Sequence, residues 1–243
     1  MGAPRVFGAS VVGDAHTRVG FDCQDAFRAM MRGDRLAVAV ADGLGTARRS
    51  DEGAAIATEA AVARALDVDA ADPCRSALEA AVAARDALES LACVEDEDLA
   101  VFACTLIVAV VAERVGIAHI GDGVVVGVAG DEPHVLSPPA RSEYVNEVDP
   151  LTSADWVDRV GVTQVVDGVD AIGLLTDGCQ HAAVRRDNGH YRVHAGFFAP
   201  LVRYARSGVG SEEGSLGIAR LLSGPKICEH SDDDKTLVLA VLR

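Results

Sequence analysis

The sequence LAVAVADG at residues 36–43 is an apolar run that ends in an aspartate and a glycine. The pattern returns as AIGLLTDG at residues 171–178, and in reverse at Asp233, which precedes the apolar run of residues 236–241. Apolar runs bounded by turn residues are typical of buried strands. Several carboxylates held together at strand ends repel one another unless cations neutralise them, and all-oxygen ligands suit Mg²⁺ or Mn²⁺ better than zinc. The pattern therefore predicts a metal-dependent enzyme.

The composition predicts a globular protein with a large core. Of the 243 residues, 49% are hydrophobic, 24% are charged and only 4% are aromatic, so Ala, Val and Leu must provide most of the packing. The length exceeds the commonest domain size, but sandwich folds of this length often form one domain. We therefore expect a single domain over residues 1–243.

The charge and the cysteines narrow the class of protein. A net charge of -15 argues against nucleic-acid binding, because phosphate backbones require clustered Lys and Arg. No apolar run has the length of a membrane span. The six cysteines form no CxxC pair and no secretory signal precedes them, which favours a reducing compartment. We expect a cytoplasmic protein, and a monomer.

The order of predicted elements indicates the fold class. Three strands precede the first helix, and two helices follow. Then come a run of short strands that predicts a β-meander, two more helices and a last strand. This order does not alternate as a parallel α/β protein would. It predicts an α+β fold, a four-layer α-β-β-α sandwich with two mostly antiparallel sheets. The predicted strands are residues 6–12, 23–31, 35–41, 102–112, 115–120, 124–129, 134–136, 161–166, 169–176 and a closing strand to Leu242; the predicted helices are residues 50–66, 72–91, 197–206 and 211–222.

One segment interrupts this order. Residues 137–160 are irregular and contain three prolines, which predicts a flap insertion on the surface. Trp156, the sole tryptophan, is expected to have a packing role there.

Taken together, the acidic motifs resemble those of the type 2C, metal-dependent serine/threonine protein phosphatases, and in particular the compact bacterial-type branch. A single Asp-Gly is common in turns, but five motifs in this order are hard to obtain by chance. Tyr144 and Asn146, in the flap, also resemble a segment of that branch. The five motifs are Cys23-Gln24-Asp25-Ala26, Ala41-Asp42-Gly43, Ile120-Gly121-Asp122, Thr176-Asp177-Gly178 and Asp233-Asp234-Lys235-Thr236.

The resemblance implies hydrolysis of phosphoserine or phosphothreonine in proteins that a cognate Ser/Thr kinase phosphorylates. It also implies two Mn²⁺ or Mg²⁺ ions and a third, weaker one. Asp42 would bridge the two ions, and the Gly43 carbonyl would ligate one of them. Asp177 and Asp233 would complete the other. Asp25 would act through metal-bound waters, and Asp122 would hold the third ion.

Three positions depart from the family pattern. Leu44 stands where many eukaryotic members have a histidine proposed as general acid, so the leaving group must be protonated by another group or by water. Gly20 occupies the usual place of the phosphate-gripping arginine, which leaves His16 or Arg18 as substitutes, and His16 is assigned a catalytic role. Asp234 replaces an asparagine; Asp232 and Asp234 are expected to be solvated neighbours of Asp233.

Other interpretations of these residues remain open. Asp42 and Asp177 could be turn formers followed by a left-handed glycine, and Asp122 could lie in a hairpin turn. Residues 103–105 are expected to support the fold without adding chemistry. His119 lies in an apolar strand, as core histidines do, and His190 and His194 are expected at the surface.

Two alternative functions are carried as well. The departures from the family pattern would suit a catalytically weak, phosphatase-like regulatory or binding module. The metal site would also suit a phosphatase that acts on a small phosphorylated metabolite.

Overall fold

The computed structural model describes residues 4–67, 72–140, 148–165, 168–188 and 190–242. Tyr144 and Asn146, expected in the flap, lie outside the described residues. The strands are β1 Arg5–Val11, β2 Ala26–Arg32, β3 Arg35–Ala41, β4 Leu106–Val111, β5 Val115–Ile120, β6 Val124–Ala129, β7 Glu132–Ser137, β8 Gly161–Val165, β9 Ala171–Leu175, β10 Val184–Asp187, β11 His190–Val193 and β12 Lys235–Val241. The helices are α1 Asp14–Val19, α2 Ser50–Asp67, α3 Pro73–Glu95, α4 Trp156–Arg159, α5 Gln180–Ala183, α6 Ala195–Arg206, α7 Ser211–Leu222 and α8 Pro225–Cys228.

The chain divides into two compact units. Unit 1 comprises Met1–Cys23, Val124–Pro138 and Asp167–Arg243, and unit 2 comprises Gln24–Gly123 and Pro139–Val166. Each unit contains one five-stranded antiparallel sheet and a pair of long helices, which confirms the predicted α+β class with two antiparallel sheets. The single domain over residues 1–243 stays a prediction.

Unit 2 is built on small side chains. Its sheet has the strand order β2-β3-β4-β5-β8, and α2 and α3 cover one face of it. Alanines of β3, among them Ala37 and Ala39, share a buried cluster with Ala54 and Ala57 of α2, so the helix can approach the sheet closely. The alternate residues of β3 are buried too, which explains its continuous apolar run.

Unit 1 is centred on β12. Its sheet has the strand order β1-β12-β9-β6-β7, and all pairings are antiparallel. Phe7 of β1 and Phe198 of α6 belong to the buried cluster that joins this sheet to α6 and α7. A Cβ at Gly214 of α7 would overlap the Phe7 ring, so this glycine permits close packing of helix and strand.

Most predicted elements are confirmed, two expectations are wrong and one hairpin was missed. The helix α1 precedes β2, so three strands do not precede the first helix. Because α1 has six residues, none of them buried, and no side-chain cap, the sequence shows neither an apolar periodicity nor a cap signal for it. The short strands do not form one meander, because β5 pairs in the sheet of unit 2 whereas β6 pairs in that of unit 1. The hairpin β10–β11 was missed.

The predicted flap contains the short helix α4, which begins at Trp156. The Trp156 side chain is buried in the cluster of unit 2, which supports a packing role. None of the helices within the described part of the chain has the length and hydropathy needed to cross a membrane.

Candidate metal centre

The end of β3 holds Asp42 by its backbone. The Asp42 N–H donates a hydrogen bond to Thr105 Oγ1 at 3.0 Å, and the Asp42 carbonyl accepts one from the Thr105 N–H at 2.8 Å. The next residue, Gly43, donates its N–H to the Gln24 carbonyl at 3.2 Å and forms an isolated bridge with Cys104. Asp25, adjacent to Gln24, is 7% exposed. Asp25, Asp42 and Gly43 therefore lie on neighbouring segments of unit 2.

Asp122 lies on the same side of unit 2. One of its carboxylate oxygens is within 4.8 Å of a carboxylate oxygen of Asp42. Two carboxylates this close repel each other strongly unless a proton or a cation lies between them. Asp122 follows β5 of one sheet and precedes β6 of the other, so the alternative of a hairpin turn is wrong.

Thr105 was expected to support the fold without adding chemistry, and the structure shows what it supports. Its hydroxyl accepts the Asp42 N–H, and a Cβ at Gly121, the residue before Asp122, would overlap its side chain. Gly121 has a φ of 109°, which a residue with a Cβ rarely adopts. Thr105 thus contacts the backbone at both acidic turns. The sequence held no signal of this role, because threonine is common in strands.

Cys104, beside the same turn, is a protonated thiol at neutral pH. Burial, and to a smaller extent the charge of Asp42, raises the pKa of Cys104 to about 12. A thiol in this state is neither a nucleophile nor a ready metal ligand. The donor atoms at this turn are therefore oxygens.

In unit 1, the Asp177 turn packs against the start of β12. The Thr176 N–H donates to the Thr236 carbonyl at 3.2 Å, and the Thr236 N–H donates to Thr176 Oγ1 at 2.9 Å. A Cβ at Gly178 would overlap the carbonyl oxygen of Asp234. The structure therefore brings Asp177 next to the Asp232–Asp234 segment.

The glycines after Asp42 and Asp177 serve close packing. Neither Gly43 nor Gly178 has a positive φ, so the left-handed turn considered for both aspartates is wrong. At both positions a Cβ would meet backbone atoms at forbidden distances: those of Gln24 and Ser50 at Gly43, and those of Asp234 at Gly178. The Asp-Gly motif marks places where two backbone segments nearly touch.

The three consecutive aspartates differ sharply. Asp234 is 2% exposed, so its predicted solvation is wrong; its Oδ1 accepts the Gly13 N–H at 2.7 Å. Asp232 is exposed and pairs with Arg18 at 2.9 Å. The Asp233 carboxylate is also exposed; its Oδ1 accepts the Asp234 N–H at 2.8 Å. Asp233 therefore has an accessible oxygen to offer to an ion.

His16 is oriented by the buried aspartate. Its Nδ1 lies 3.0 Å from Asp234 Oδ2, which leaves Nε2 to face another group. Arg18, the other substitute for the missing arginine, is exposed and already paired with Asp232. Gly20, at the usual place of that arginine, ends α1 with a φ of 77°. The geometry favours His16 over Arg18.

Three other histidines were considered in the sequence. His119 is buried in β5, as the core interpretation expects, and burial lowers its pKa to about 4. His190 begins β11 and His194 caps α6, and both are exposed.

The acidic set is thus assembled in two parts. In unit 2, Asp42 lies close to Asp122, and the residue after it, Gly43, contacts the segment that carries Asp25. In unit 1, the Asp177 turn and His16 both contact the Asp232–Asp234 segment. Carboxylate and carbonyl oxygens without thiolate are the donors that Mg²⁺ and Mn²⁺ prefer.

Comparison with known proteins identifies the family of this chain. Residues 12–215 match the family model described as protein phosphatase 2C. The chain therefore belongs to the protein phosphatase 2C family.

Relatives extend the likeness over nearly the whole chain. A serine/threonine-protein phosphatase 3 of Escherichia coli (strain K12) is 29% identical over 98% of both chains. Two solved structures share the fold. Stp1 from Staphylococcus aureus, a serine/threonine phosphatase, has a TM-score of 0.62 at 15% identity and covers 98% of this chain and 94% of its own. The catalytic domain of the phosphatase PstP, in complex with 2 manganese ions, has a TM-score of 0.66 at 16% identity and covers 98% and 97%.

Proposed function

We propose that this chain hydrolyses phosphoserine and phosphothreonine in protein substrates, with water as the nucleophile and Mn²⁺ or Mg²⁺ as cofactor. The observation that carries the proposal is the family match over residues 12–215, a span that includes Asp25, Asp42, Asp122 and Asp177. The E. coli relative is a serine/threonine-protein phosphatase, and the PstP neighbour binds manganese.

The residues present fit divalent ions. Asp42 and Asp122 offer carboxylate oxygens within 4.8 Å of each other, and the thiol of Cys104 stays protonated beside them. When bound, two divalent cations lower the pKa of a water molecule towards neutrality and neutralise the charge of the phosphoryl oxygens. A protein nucleophile is then not required.

The proposed ligands follow the family resemblance. Asp42, the Gly43 carbonyl, Asp177 and Asp233 would hold the two ions, Asp25 would act through water, and Asp122 would hold a third, weaker ion.

The chain's own residues then bind and orient the substrate. His16, fixed through Nδ1 by Asp234, presents Nε2 to a phosphoryl oxygen in place of the missing arginine. Thr105 fixes the backbone of Asp42, so that the carboxylate is preorganised. Leu44 supplies no proton, and the leaving hydroxyl takes its proton from water.

A substrate panel tests the proposed activity. With Mn²⁺ present, the purified protein should release phosphate from phosphoserine and phosphothreonine peptides and from an aryl phosphate, and chelator should stop all three reactions. A panel of small phosphorylated metabolites is the comparison. Faster turnover of a metabolite than of any phosphopeptide would overturn the proposed substrate class, and no turnover of any substrate would favour the regulatory module.

The proposal also covers the compartment, the oligomeric state and the opposing kinase. All six cysteines are free thiols, which supports a reducing cytoplasm. We propose that the enzyme acts there as a monomer, opposite a Ser/Thr kinase that shares its protein substrates.

A further inference from the structure

A groove on unit 1 lies apart from the acidic turns. It has a volume of about 890 Å³ and lies among α5, α6, α7 and α8. This volume is within the range of roughly 300–1,000 Å³ that is usual for small-molecule sites. None of the residues assigned to hydrolysis lines it.

Three glycines line the groove and bring no side chain into it. They are Gly196 of α6, Gly217 of α7 and Gly224 before α8. Leu201, Leu221 and other apolar side chains form the floor. A Cβ at Gly217 would lie 2.9 Å from the Tyr204 ring, so even a small side chain there would intrude on the space.

Two cations lie at this apolar groove. Arg220 and Lys226 line it, both are exposed, and neither makes an ion pair or side-chain hydrogen bond within the described residues. By contrast, Arg64, Arg75 and Arg159, elsewhere on the surface, are paired with carboxylates.

The charge at the groove is opposite to that of the chain. Among the described residues no carboxylate lines it, although the chain carries a net charge of -15. Two imidazoles, of His194 and His230, complete the polar lining together with the Tyr204 hydroxyl. Lys235, the only other lysine, is buried, so Lys226 is the one exposed lysine of the described chain.

We propose that this groove binds a small amphiphilic anion, a carboxylate or phosphate monoester attached to an apolar body. The apolar body would displace water from Leu201 and Leu221, and the anionic group would pair with Arg220 and Lys226. Exposed cations without carboxylate partners are the complement of such a group.

Calorimetric titration with octanoate and octyl phosphate, each below its micelle concentration, tests the proposal. Both should bind saturably, whereas octylammonium and octyl glucoside, which have the same tail, should not. The double variant Arg220→Gln, Lys226→Gln should weaken binding by about tenfold or more, since neither side chain could then pair with the anionic group. Gly217→Leu, which fills the groove, should abolish binding.

Arg203→Gln is the matched control. Arg203 is an exposed arginine of α6 that does not line the groove, so this change should leave the affinity unaltered. Phosphatase activity and thermal unfolding of each variant establish that it is folded, because none of these residues belongs to the proposed metal centre. This activity readout separates failure of the groove from failure of the proposed function.

Four outcomes would overturn the inference. The first is that neither octanoate nor octyl phosphate binds saturably, and the second is that octyl glucoside or octylammonium binds equally well. The third is that the double variant and Gly217→Leu bind with unchanged affinity. The fourth is that an acidic leucine-rich peptide binds whereas neither octanoate nor octyl phosphate does. Sedimentation adds a fifth: a dimer of the native protein that Gly217→Leu dissociates would assign the groove to a second copy of the chain.

Discussion

At the scale of single residues, Thr105 shows how a site of carboxylates depends on a neutral side chain. Its hydroxyl accepts the Asp42 N–H at 3.0 Å, and its own N–H donates to the Asp42 carbonyl at 2.8 Å. Only the first of these bonds can be removed by mutation. The side chain is 5% exposed, so its loss would leave a backbone donor without a partner.

Thr105→Val should therefore lower activity while preserving the shape of the core. We expect a loss of about 1–3 kcal/mol in unfolding free energy, the cost of an unsatisfied buried donor, and about a tenfold lower kcat/KM. Thr105→Ser, which keeps the hydroxyl, should restore most of the activity. If Val and Ser variants had equal kcat/KM, Thr105 would have only a packing role.

The pair of His16 and Asp234 should behave as one unit. His16→Ala should lower kcat/KM by removing the contact to phosphate, and Asp234→Ala should lower it by releasing the imidazole. The double variant should then be little worse than either single one, because the two changes remove the same interaction. Arg18→Ala, which breaks only an exposed pair with Asp232, is the control and should leave kcat/KM unchanged. Additive losses would contradict the assigned coupling.

The buried His119 should make the unfolding free energy depend on pH. Burial lowers its pKa from 6.5 to about 4, so between these values the unfolded chain binds a proton that the folded chain does not. Stability should thus fall as the pH falls through this window, by up to about 3 kcal/mol in total. Denaturant unfolding of the native protein and of His119→Gln at pH 7 and pH 5 measures the difference, and the variant should lose less. Parallel curves would show that His119 titrates normally.

At the scale of elements, the N-terminus of α3 is fixed by a single cap. The Asp72 carboxylate accepts the Cys74 N–H at 2.9 Å, and Pro73 occupies the first helical position. Asp72→Ala should cost about 1 kcal/mol of unfolding free energy, whereas Asp72→Asn, which keeps the acceptor, should cost little. Thermal unfolding compares the two variants. Equal losses would mean that the charge of Asp72, and not its cap hydrogen bond, stabilises the helix.

The sequence predicted long elements well because each carries a clear signal. The helix α2 begins at Ser50 as expected, and α7 has the predicted limits Ser211–Leu222. Short elements gave no such signal: α1 has no apolar period, and β10 and β11 have 4 residues each. The exchange of sheets between β5 and β6 could not be predicted, since Gly121-Asp122-Gly123 has the composition of a hairpin turn.

The sequence predicted which acidic residues belong to the candidate site, but not the contacts that position them. Asp42 and Asp177 stand at strand ends, which a linear pattern records. The sequence could not predict that Asp234 is buried while Asp232 and Asp233 are exposed, because three consecutive aspartates give no indication of which side chain faces the core. His16 and Arg18 remained alternatives because the sequence does not show which of them contacts Asp234; in the structure it is His16.

At the scale of the whole molecule, the proposed ligands are divided between the two units. Asp25, Asp42, Gly43 and Asp122 belong to unit 2, whereas Asp177 and Asp233 belong to unit 1. The proposed activity depends on ligands from each unit, which one variant from each unit can test.

The most direct test is a mutant cycle of Asp42→Asn and Asp177→Asn with phosphopeptide hydrolysis measured against Mn²⁺ concentration. If both residues serve the same ions, each single variant should lose about a hundredfold or more in kcat/KM, and the double variant should lose no more than the worse single one. A loss of less than about tenfold in either variant, additive losses in the double variant, or activity that persists in chelator would contradict the account.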